Sequence, residues 1–384
     1  MNFLKSLLAI LLLCCVGVSV AQHNPRNIEA SWKTDTTKAR LDLNEIFVCI
    51  GKDEIPAIDQ PMYYSISEAE REYFEFEPLI LVEHDMKAKG YPLSVLLYHE
   101  IVNDSIVGTD STLYYSVTYC PLCNSAIVFN RKTKIKGEEL LLDFGVSGML
   151  RNSDMIMYDR QTESWWQQFT GQGLVGEYAG VGLDFLTAPV ISMEEFSLFF
   201  PDGKVLSKET GFKNSKGNDY NYGTNPYIGY DTDDTPFLYD GQVDDRLPPM
   251  ERVVDITING KHKIYPNTDL AREVVINDEF EGKNIVIFHT KKIVSVLDSA
   301  AIEESKTIGG VAAYFAFVDG KKLSFIDKGG GMFMDQQTKS IWNVKGQCID
   351  GKLEGKYLNM ITHGNHFAFA MLAFHPDCAI YGDE

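Results

Sequence analysis

The sequence of 384 residues lacks several features that would assign it to a functional class directly. Beyond residues 1–21 it has no apolar run near the roughly 20 residues that a membrane helix needs. It contains no phosphate-binding loop and no dinucleotide-binding glycine motif. Basic residues are too few to balance the acidic ones, 35 against 54, which gives a net charge of −19. Because nucleic-acid binding depends on Lys and Arg side chains that replace counterions, this balance argues against a nucleic-acid partner.

Residues 1–21 are predicted to be a cleaved secretory signal peptide. Lys5 supplies a positive charge, an almost unbroken apolar run extends from Leu7 to Val20, and Ser19-Val20-Ala21 places small residues where signal peptidase cleaves. We expect the mature chain to begin at Gln22 and to be periplasmic or secreted. No membrane span is expected after cleavage.

Cysteine is scarce in the predicted mature chain. Of the seven cysteines, two lie in the predicted signal peptide, so five remain: Cys49, Cys120, Cys123, Cys348 and Cys378. An odd number in an oxidising compartment leaves at least one thiol unpaired, bound to a metal or bonded to another chain. So few cysteines cannot staple a chain of this length, so the core must come from buried apolar residues.

An internal repeat organises the mature chain. The segment Asp159–Trp166 (DRQTESWW) recurs as Asp335–Trp342 (DQQTKSIW), and further Gly, Leu, Tyr-Pro and Asn-Asp matches occur in the same order. An ordered series of this kind indicates two tandem copies. The predicted organisation is a signal peptide, an N-terminal extension, a first copy, a linker rich in Gly, Asn, Asp and Tyr, and a second copy, at residues 1–21, 22–78, 79–206, 207–251 and 252–384.

Each copy has the same predicted secondary structure. A Tyr-Pro step leads into a short helix, Leu93 to His99 in the first copy and Thr268 to Val275 in the second. Alternating or continuous apolar runs then predict several strands, and a capping box at Ser192 opens a closing helix. The predicted fold class is β-rich α+β: two tandem related copies of a mostly antiparallel β unit with short flanking helices.

The sharpest local feature is Cys120-Pro-Leu-Cys123, at the end of a predicted apolar strand. Two cysteines three positions apart can hold a metal ion from one turn or form a redox disulfide. An inert structural disulfide is a further interpretation. The repeat aligns this motif with about His289–Lys292, so only the first copy has the pair. The fold itself therefore does not require these cysteines.

His99, just upstream, is a candidate third ligand, although a histidine at a helix end is more often structural. Two thiolates with an imidazole suit Cu(I) or Zn(II), so copper or zinc is the candidate metal. The Gly-Xaa-Ser-Xaa-Gly elbow of hydrolases is not present around Ser147, which favours a tight turn there over a nucleophile. The candidate residues lining the site are Glu100, Asn103, Asp104, Ser147 and Asn152.

Several motifs together resemble a known family. The motifs occur in the family's order and cover nearly the whole mature chain: Ile55–Asp59, Tyr91-Pro92, His99–Asp104, Tyr119–Cys123, Val146–Gly148 and Asp159–Ser164. They resemble the "domain of unknown function 3179", a family of exported bacterial and archaeal proteins. The resemblance implies export and little about activity. The family usually has a glycine after the second cysteine, where Asn124 stands here.

Three functions remain open from the sequence. The leading hypothesis is an exported protein of unassigned activity with a soft-metal site formed by Cys120, Cys123 and His99. The second is a thiol–disulfide protein that uses the two cysteines. The third is a non-enzymatic ligand-binding or structural module with an inert disulfide, in which a small molecule lies between the copies. A hydrolase centred on Ser147 ranks last.

Overall fold

The structure is a computed structural model that describes residues 32–135 and 137–383. The predicted signal peptide at 1–21 lies outside the described residues. Within the described part of the chain, no helix is long and apolar enough to cross a membrane. The fold is β-rich with short helices, as predicted.

The described residues form five α-helices of seven residues each and thirty strands. The helices are α1 (Ile66–Glu72), α2 (Leu93–His99), α3 (Met193–Phe199), α4 (Asn267–Glu273) and α5 (Ala368–Phe374). The strands before the linker are β1 (Phe47–Val48), β2 (Tyr63–Ser65), β3 (Pro78–His84), β4 (Lys87–Pro92), β5 (Ile101–Val107), β6 (Thr112–Cys120), β7 (Ser125–Asn130), β8 (Lys132–Ile135), β9 (Glu138–Leu141), β10 (Phe144–Arg151), β11 (Asp154–Asp159), β12 (Trp165–Gln167), β13 (Gly173–Val175), β14 (Phe185–Leu186), β15 (Val190–Ser192) and β16 (Lys204–Leu206). The strands after it are β17 (Arg252–Ile258), β18 (Lys261–Pro266), β19 (Val275–Phe280), β20 (Lys283–Thr290), β21 (Gly310–Phe315), β22 (Phe317–Val318), β23 (Lys321–Lys322), β24 (Phe325–Gly329), β25 (Met332–Asp335), β26 (Ile341–Asn343), β27 (Cys348–Asp350), β28 (Asn359–Met360), β29 (His363–Phe367) and β30 (Ala379–Ile380).

Local sequence signals account for several helix boundaries. Helix α2 has the predicted bounds, and it starts directly after Pro92, whose fixed φ suits the entry to a helix. Helix α3 starts at the predicted capping box, in which the Ser192 hydroxyl accepts a hydrogen bond of 3.1 Å from the Glu195 amide.

Three sheets form before the linker, with strand orders β15-β3-β4-β16-β2, β14-β7-β6-β5 and β1-β10-β11-β12-β13. Three more form after it, with orders β29-β17-β18-β30, β19-β20-β21-β28 and β24-β25-β26-β27. Strands β8 and β9, and β22 and β23, make two separate hairpins. The named pairings are antiparallel except for β16 with β4 and β18 with β30.

The largest apolar core joins distant parts of the chain. It contains buried side chains from the first set of sheets, such as Leu79 and Trp166, together with Tyr230 from the linker and Phe367 and Met371 near the C-terminus. The linker and the last helix are therefore packed against the first sheets, and this brings them to the cysteine turn.

A buried carboxylate at the start of α2 makes a testable prediction about pH. Glu77 is 2% exposed and accepts a hydrogen bond of 3.3 Å from the Ser94 amide. Burial raises its pKa from 4.5 to about 7, against the weaker opposing effect of that hydrogen bond. The folded protein therefore holds this proton more tightly than the unfolded chain. The protonated Glu77 carboxyl therefore makes its full contribution to folding stability below pH 4.5, and this contribution is lost as the pH rises through about 7.

We expect Glu77→Gln, which removes the charge and keeps an acceptor for Ser94, to stabilise the protein by about 1–3 kcal/mol at pH 8 and by much less at pH 4.5. Urea unfolding at the two pH values measures the difference. Glu251→Gln is the matched control, because Glu251 accepts the same kind of bond from the Thr268 amide, at 3.0 Å, at an exposed site. An equal effect of Glu77→Gln at both pH values would contradict the prediction.

Candidate metal centre

The cysteine motif lies in the turn between β6 and β7. Cys120 is the last residue of β6, and Cys123 is inside the turn that leads to Ser125. Asn124, after the second cysteine, has a φ of 49°, in the left-handed region that glycine adopts most easily. Asparagine is one of the few other residues that tolerate this conformation. The turn therefore forms with asparagine at position 124.

Two distant segments hold this turn in place. The Phe367 amide of β29 donates a hydrogen bond of 2.9 Å to the Cys123 carbonyl. The Tyr230 hydroxyl of the linker donates one of 2.9 Å to the Leu122 carbonyl. The cysteine turn is thus buried beneath both the linker and the second set of sheets.

Asp154 completes a group of three buried side chains at this turn. The sulfurs of Cys120 and Cys123 and a carboxylate oxygen of Asp154 all lie within 4.8 Å of one another. It is the only such group of three or more His, Cys, Asp or Glu side chains in residues 32–135 and 137–383. These ligand types and separations suit a tetrahedral metal ion with sulfur and oxygen ligands.

A hairpin turn brings Asp154 to the cysteines. Asn152 and Ser153 connect β10 to β11 with φ angles of 51° and 64°, the two positive values that a type I′ turn requires. The Ser153 hydroxyl donates a hydrogen bond of 2.5 Å to the Phe237 carbonyl of the linker. The Ser153 carbonyl accepts a weak bond of 3.8 Å from the Cys120 thiol. Ser153 therefore links the hairpin both to the linker and to the cysteine turn.

The Asp154 carboxylate has one oxygen engaged and one available. Its Oδ2 accepts hydrogen bonds from Gln167 Nε2 at 2.7 Å and from the Phe169 amide at 2.9 Å. Its Oδ1 is buried and accepts no N–H or O–H hydrogen bond from the described residues. Burial, which outweighs these hydrogen bonds, raises the pKa of Asp154 to about 7. A buried carboxylate oxygen without such a partner is unfavourable unless a cation completes its environment.

Cys120 and Cys123 are both free thiols. Burial is the main cause that raises the pKa of each thiol, and the Asp154 carboxylate adds to the effect. The disulfide that the sequence left open is not formed in this structure.

The structure places His99 outside this group. Its Nδ1 donates a hydrogen bond of 2.8 Å to the Pro56 carbonyl, and its Nε2 accepts one of 2.7 Å from the Tyr222 hydroxyl. Its ring also contacts Phe212 and Tyr220. Burial lowers the pKa of His99 to about 4, so the ring is neutral at neutral pH. Both ring nitrogens are engaged in holding the linker, and Asp154 stands where the sequence predicted an imidazole.

Two of the predicted lining residues belong to the sheets. The Asn103 side chain donates to the Phe144 carbonyl at 2.7 Å and accepts from the Phe144 amide at 3.1 Å. Asn277 makes the same pair of bonds with Phe325, at 2.9 and 2.7 Å. The Asp104 carboxylate accepts hydrogen bonds from one lysine and three tyrosines: Lys89, Tyr63, Tyr91 and Tyr115. The Asp278 carboxylate likewise accepts hydrogen bonds from Lys263 and Tyr265. The shared Asn-Asp motif therefore has a structural role in both places.

Ser147 lies in a β-bulge between Val146 and Met149. Its hydroxyl donates a hydrogen bond to the Ile156 carbonyl and accepts one of 3.0 Å from the Met149 amide. Ser147 is 2% exposed, and its hydroxyl is used within the bulge. The residue therefore lies inside strand β10 and not in the tight turn that the sequence predicted. Asn152 lies in the hairpin turn before Asp154.

Glu100 is the predicted lining residue that faces open space near the centre. Together with Cys120 it lines a cavity of about 270 Å³. The Glu100 residue is 8% exposed, and burial, with a smaller effect of Asp154, raises the pKa of its carboxyl to about 8.

Asp154 is the member of this group that the sequence analysis did not identify, because none of the sequence motifs includes it. The repeat held a usable signal, because the offset that aligns Asp159 with Asp335 aligns Asp154 with Gly330. At that offset, the segment 252–384 has no carboxylate in place of Asp154.

The fold and the site define a β-rich protein with a buried Cys/Cys/Asp centre beside a cavity. The chain belongs to the family described as Protein of unknown function (DUF3179), whose family model matches residues 52–378. This confirms the family resemblance seen in the motifs. No curated protein and no solved structure matches the chain.

Proposed function

We propose that this is an exported protein that binds one soft metal ion at Cys120, Cys123 and Asp154. The observation that carries the proposal is the convergence of two thiols and a carboxylate within 4.8 Å at a buried position. The buried Asp154 Oδ1, which lacks an N–H or O–H partner among the described residues, supports it further. Export rests on the signal-peptide pattern of residues 1–21.

Zinc fits this ligand set better than cuprous copper. Zn(II) accepts thiolate sulfur and carboxylate oxygen together, whereas Cu(I) favours purely soft ligands. Three protein ligands leave the fourth position of a tetrahedral zinc ion for water or a ligand. Gln167, which bonds Asp154 Oδ2 at 2.7 Å, would orient the carboxylate from behind.

Thiol–disulfide exchange has less support. A reactive cysteine needs a lowered pKa, which a nearby cation or a helix N-terminus provides. Here burial and neighbouring carboxylates raise the pKa of Cys120 and Cys123 instead.

We also propose that residues 79–206 and 252–384 are tandem copies of one unit, of which only the first has a metal centre. The proposal is supported by corresponding sheets, such as β14-β7-β6-β5 beside β28-β21-β20-β19. It is further supported by Trp166 and Trp342, whose indole nitrogens donate to Asp159 and Asp335 at 2.9 and 3.1 Å.

The metal proposal predicts one zinc ion per chain. We expect Cys120→Ser with Cys123→Ser to abolish zinc binding, and Asp154→Asn to weaken it by more than 100-fold, since even loss of a residue that only orients a ligand costs roughly 10–100-fold. Metal analysis and competition titration with a chelator measure both. Co(II) in place of zinc should give thiolate charge-transfer bands that the double variant lacks.

Cys348→Ser is the matched control, because Cys348 is an equally buried free thiol far along the chain, in β27. It should bind zinc as the wild type does. A wild-type protein that takes up neither zinc nor copper would refute the proposal. Unchanged affinity in Asp154→Asn would exclude the carboxylate as a ligand.

A further inference from the structure

The cavity beside the metal centre is large for the interior of a protein. It measures about 270 Å³, whereas two other cavities measure about 40 and 30 Å³. Protein interiors are close-packed, and an unfilled void of this size lowers stability. An apolar cavity of roughly 150 Å³ is enough to bind benzene. This one therefore has room for a molecule larger than a single aromatic ring.

Three parts of the chain build most of its walls, and Glu100 with the cysteine turn completes the lining. The segment Cys49–Ile55 forms one wall, the β10–β11 hairpin a second, and linker residues 226–238 a third. Most of the side chains are apolar, among them Ile50, Ile55, Val146, Leu150, Phe237 and Leu238. Such walls favour a ligand that is apolar over most of its surface.

The charges at the cavity exclude anionic ligands. None of its lining residues is a lysine, arginine or histidine. Two lining residues, Glu100 and Asp233, are acidic. A carboxylate or phosphate buried here would find no cationic side chain, and the two thiolates and the carboxylate of the proposed metal centre would outweigh the charge of a bound zinc ion.

One end of the cavity is polar. Glu100 and the thiol of Cys120 lie there with Tyr227, whose pKa is raised by burial and then by the nearby Glu100 and Cys120. Burial and nearby charges, and no hydrogen bond from the described residues, account for the raised pKa values of the Glu100 carboxyl and the Tyr227 phenol. A carboxyl group and a phenol with free hydrogen-bonding capacity thus face the same space, at the end where Cys120 belongs to the metal centre.

The fold does not need a carboxyl group at position 100. Val274 has the corresponding backbone geometry, with a φ of 61° against 57° for Glu100. Its carbonyl accepts a hydrogen bond from His289 at 3.0 Å, as that of Glu100 does from Tyr119 at 2.8 Å. An apolar side chain is accommodated there after α4, so the acid after α2 has another role.

We propose that this cavity binds a small uncharged organic molecule, apolar over most of its surface, with a single hydroxyl or carbonyl group held by Glu100 and Tyr227. The polar group of the ligand then lies beside the metal centre. That adjacency rests on the proposed function, whereas binding in the cavity does not.

Calorimetric titration of the purified protein, with zinc and after chelator treatment, tests the proposal. We use 2-naphthol and 1-octanol as neutral probes and 2-naphthoate as the anionic counterpart of the first. At least one neutral probe should bind with one-to-one stoichiometry, and 2-naphthoate should bind at least tenfold more weakly than 2-naphthol. Glu100→Val, which copies the Val274 side chain, should weaken binding of the neutral probe about three- to tenfold, the effect of one lost hydrogen bond.

A second pair of variants controls for folding. Ile228 lines the cavity and is 45% exposed, so Ile228→Trp should narrow the space and reduce binding at least tenfold without unfolding the protein. Leu198→Trp is the matched control, because Leu198 is 69% exposed and lies elsewhere, in α3, and it should bind as the wild type does.

The two proposals fail separately. Neutral-probe binding in a protein that takes up no metal supports the cavity proposal and overturns the metal centre. Zinc binding without saturable binding of either neutral probe overturns the cavity proposal alone. Binding of 2-naphthoate as tight as that of 2-naphthol overturns the assignment to uncharged ligands.

Discussion

Replacing Trp166 or Trp342 by alanine is expected to destabilise the protein by about 3–5 kcal/mol in each case. Both side chains are fully buried, with 0% exposure. Each truncation opens a cavity in a core and also leaves a buried aspartate oxygen, on Asp159 or Asp335, without its indole donor. Single substitutions rarely cost this much, so the effect marks both residues as central to packing.

The two tryptophans should differ in their effect on the metal centre. Trp166 precedes Gln167, which bonds Asp154, so Trp166→Ala should also weaken zinc binding. Trp342 packs in a separate core with Phe325 and Phe333, and its loss should leave zinc affinity unchanged in the folded protein. Urea unfolding measures the loss of stability in each variant, and zinc titration at low temperature measures the change in zinc affinity.

Phenylalanine at either position is the control, since it keeps most of the apolar volume and removes the indole N–H group. The substitution by phenylalanine should lower the free energy of unfolding by less than the substitution by alanine. A loss below 1 kcal/mol for alanine at either site would contradict burial in a packed core.

Features set by local sequence could be predicted well. The bounds of α2 follow from Pro92 and the apolar run after it, and the capping box at Ser192 opens α3 as predicted. Strand β6, which ends at Cys120, is the apolar strand that the sequence predicted directly before the cysteine motif. These signals act over a few residues, so the sequence shows them directly.

The composition of the site could not be predicted in this way. His99 is near the cysteines in sequence, but its position is decided by Tyr222, 123 positions away. Asp154 reaches the cysteines through the pairing of β10 with β11, and Tyr230 reaches the turn from 108 positions away. Contacts between segments so distant depend on tertiary packing, which local patterns do not record.

The difference between the two parts of the chain was the most useful sequence criterion. Residues present in both, such as Asn103 with Asn277, make the same hydrogen bonds in both. The three residues that meet at the centre, Cys120, Cys123 and Asp154, occur only in the first part. Other residues, such as His99, also occur only there, so this criterion adds Asp154 to the candidates without singling it out.

Zinc is expected to raise the melting temperature of the metal-free protein by about 8–16 °C at a free concentration 1000-fold above the dissociation constant. A ligand that binds only the folded state contributes about 4 kcal/mol at that concentration. A unit of about 150–250 residues gains roughly 2–4 °C for each kcal/mol. The shift depends on zinc concentration, which an inert packing role for the cysteines would not produce.

The metal-free protein provides the decisive comparison. Cys120 and Cys123 form no disulfide, and their thiols make only weak hydrogen bonds, to each other, to Asp154 and, at 3.8 Å, from Cys120 to the Ser153 carbonyl. We therefore expect the Cys120→Ser, Cys123→Ser variant to melt within a few degrees of the metal-free wild type, and to show no shift with zinc. Calorimetry over a zinc series, with a chelator as the zero point, measures both proteins. A shift of equal size in the variant would place the zinc elsewhere on this acidic chain, and a large loss of stability without zinc would mean that the thiols serve packing.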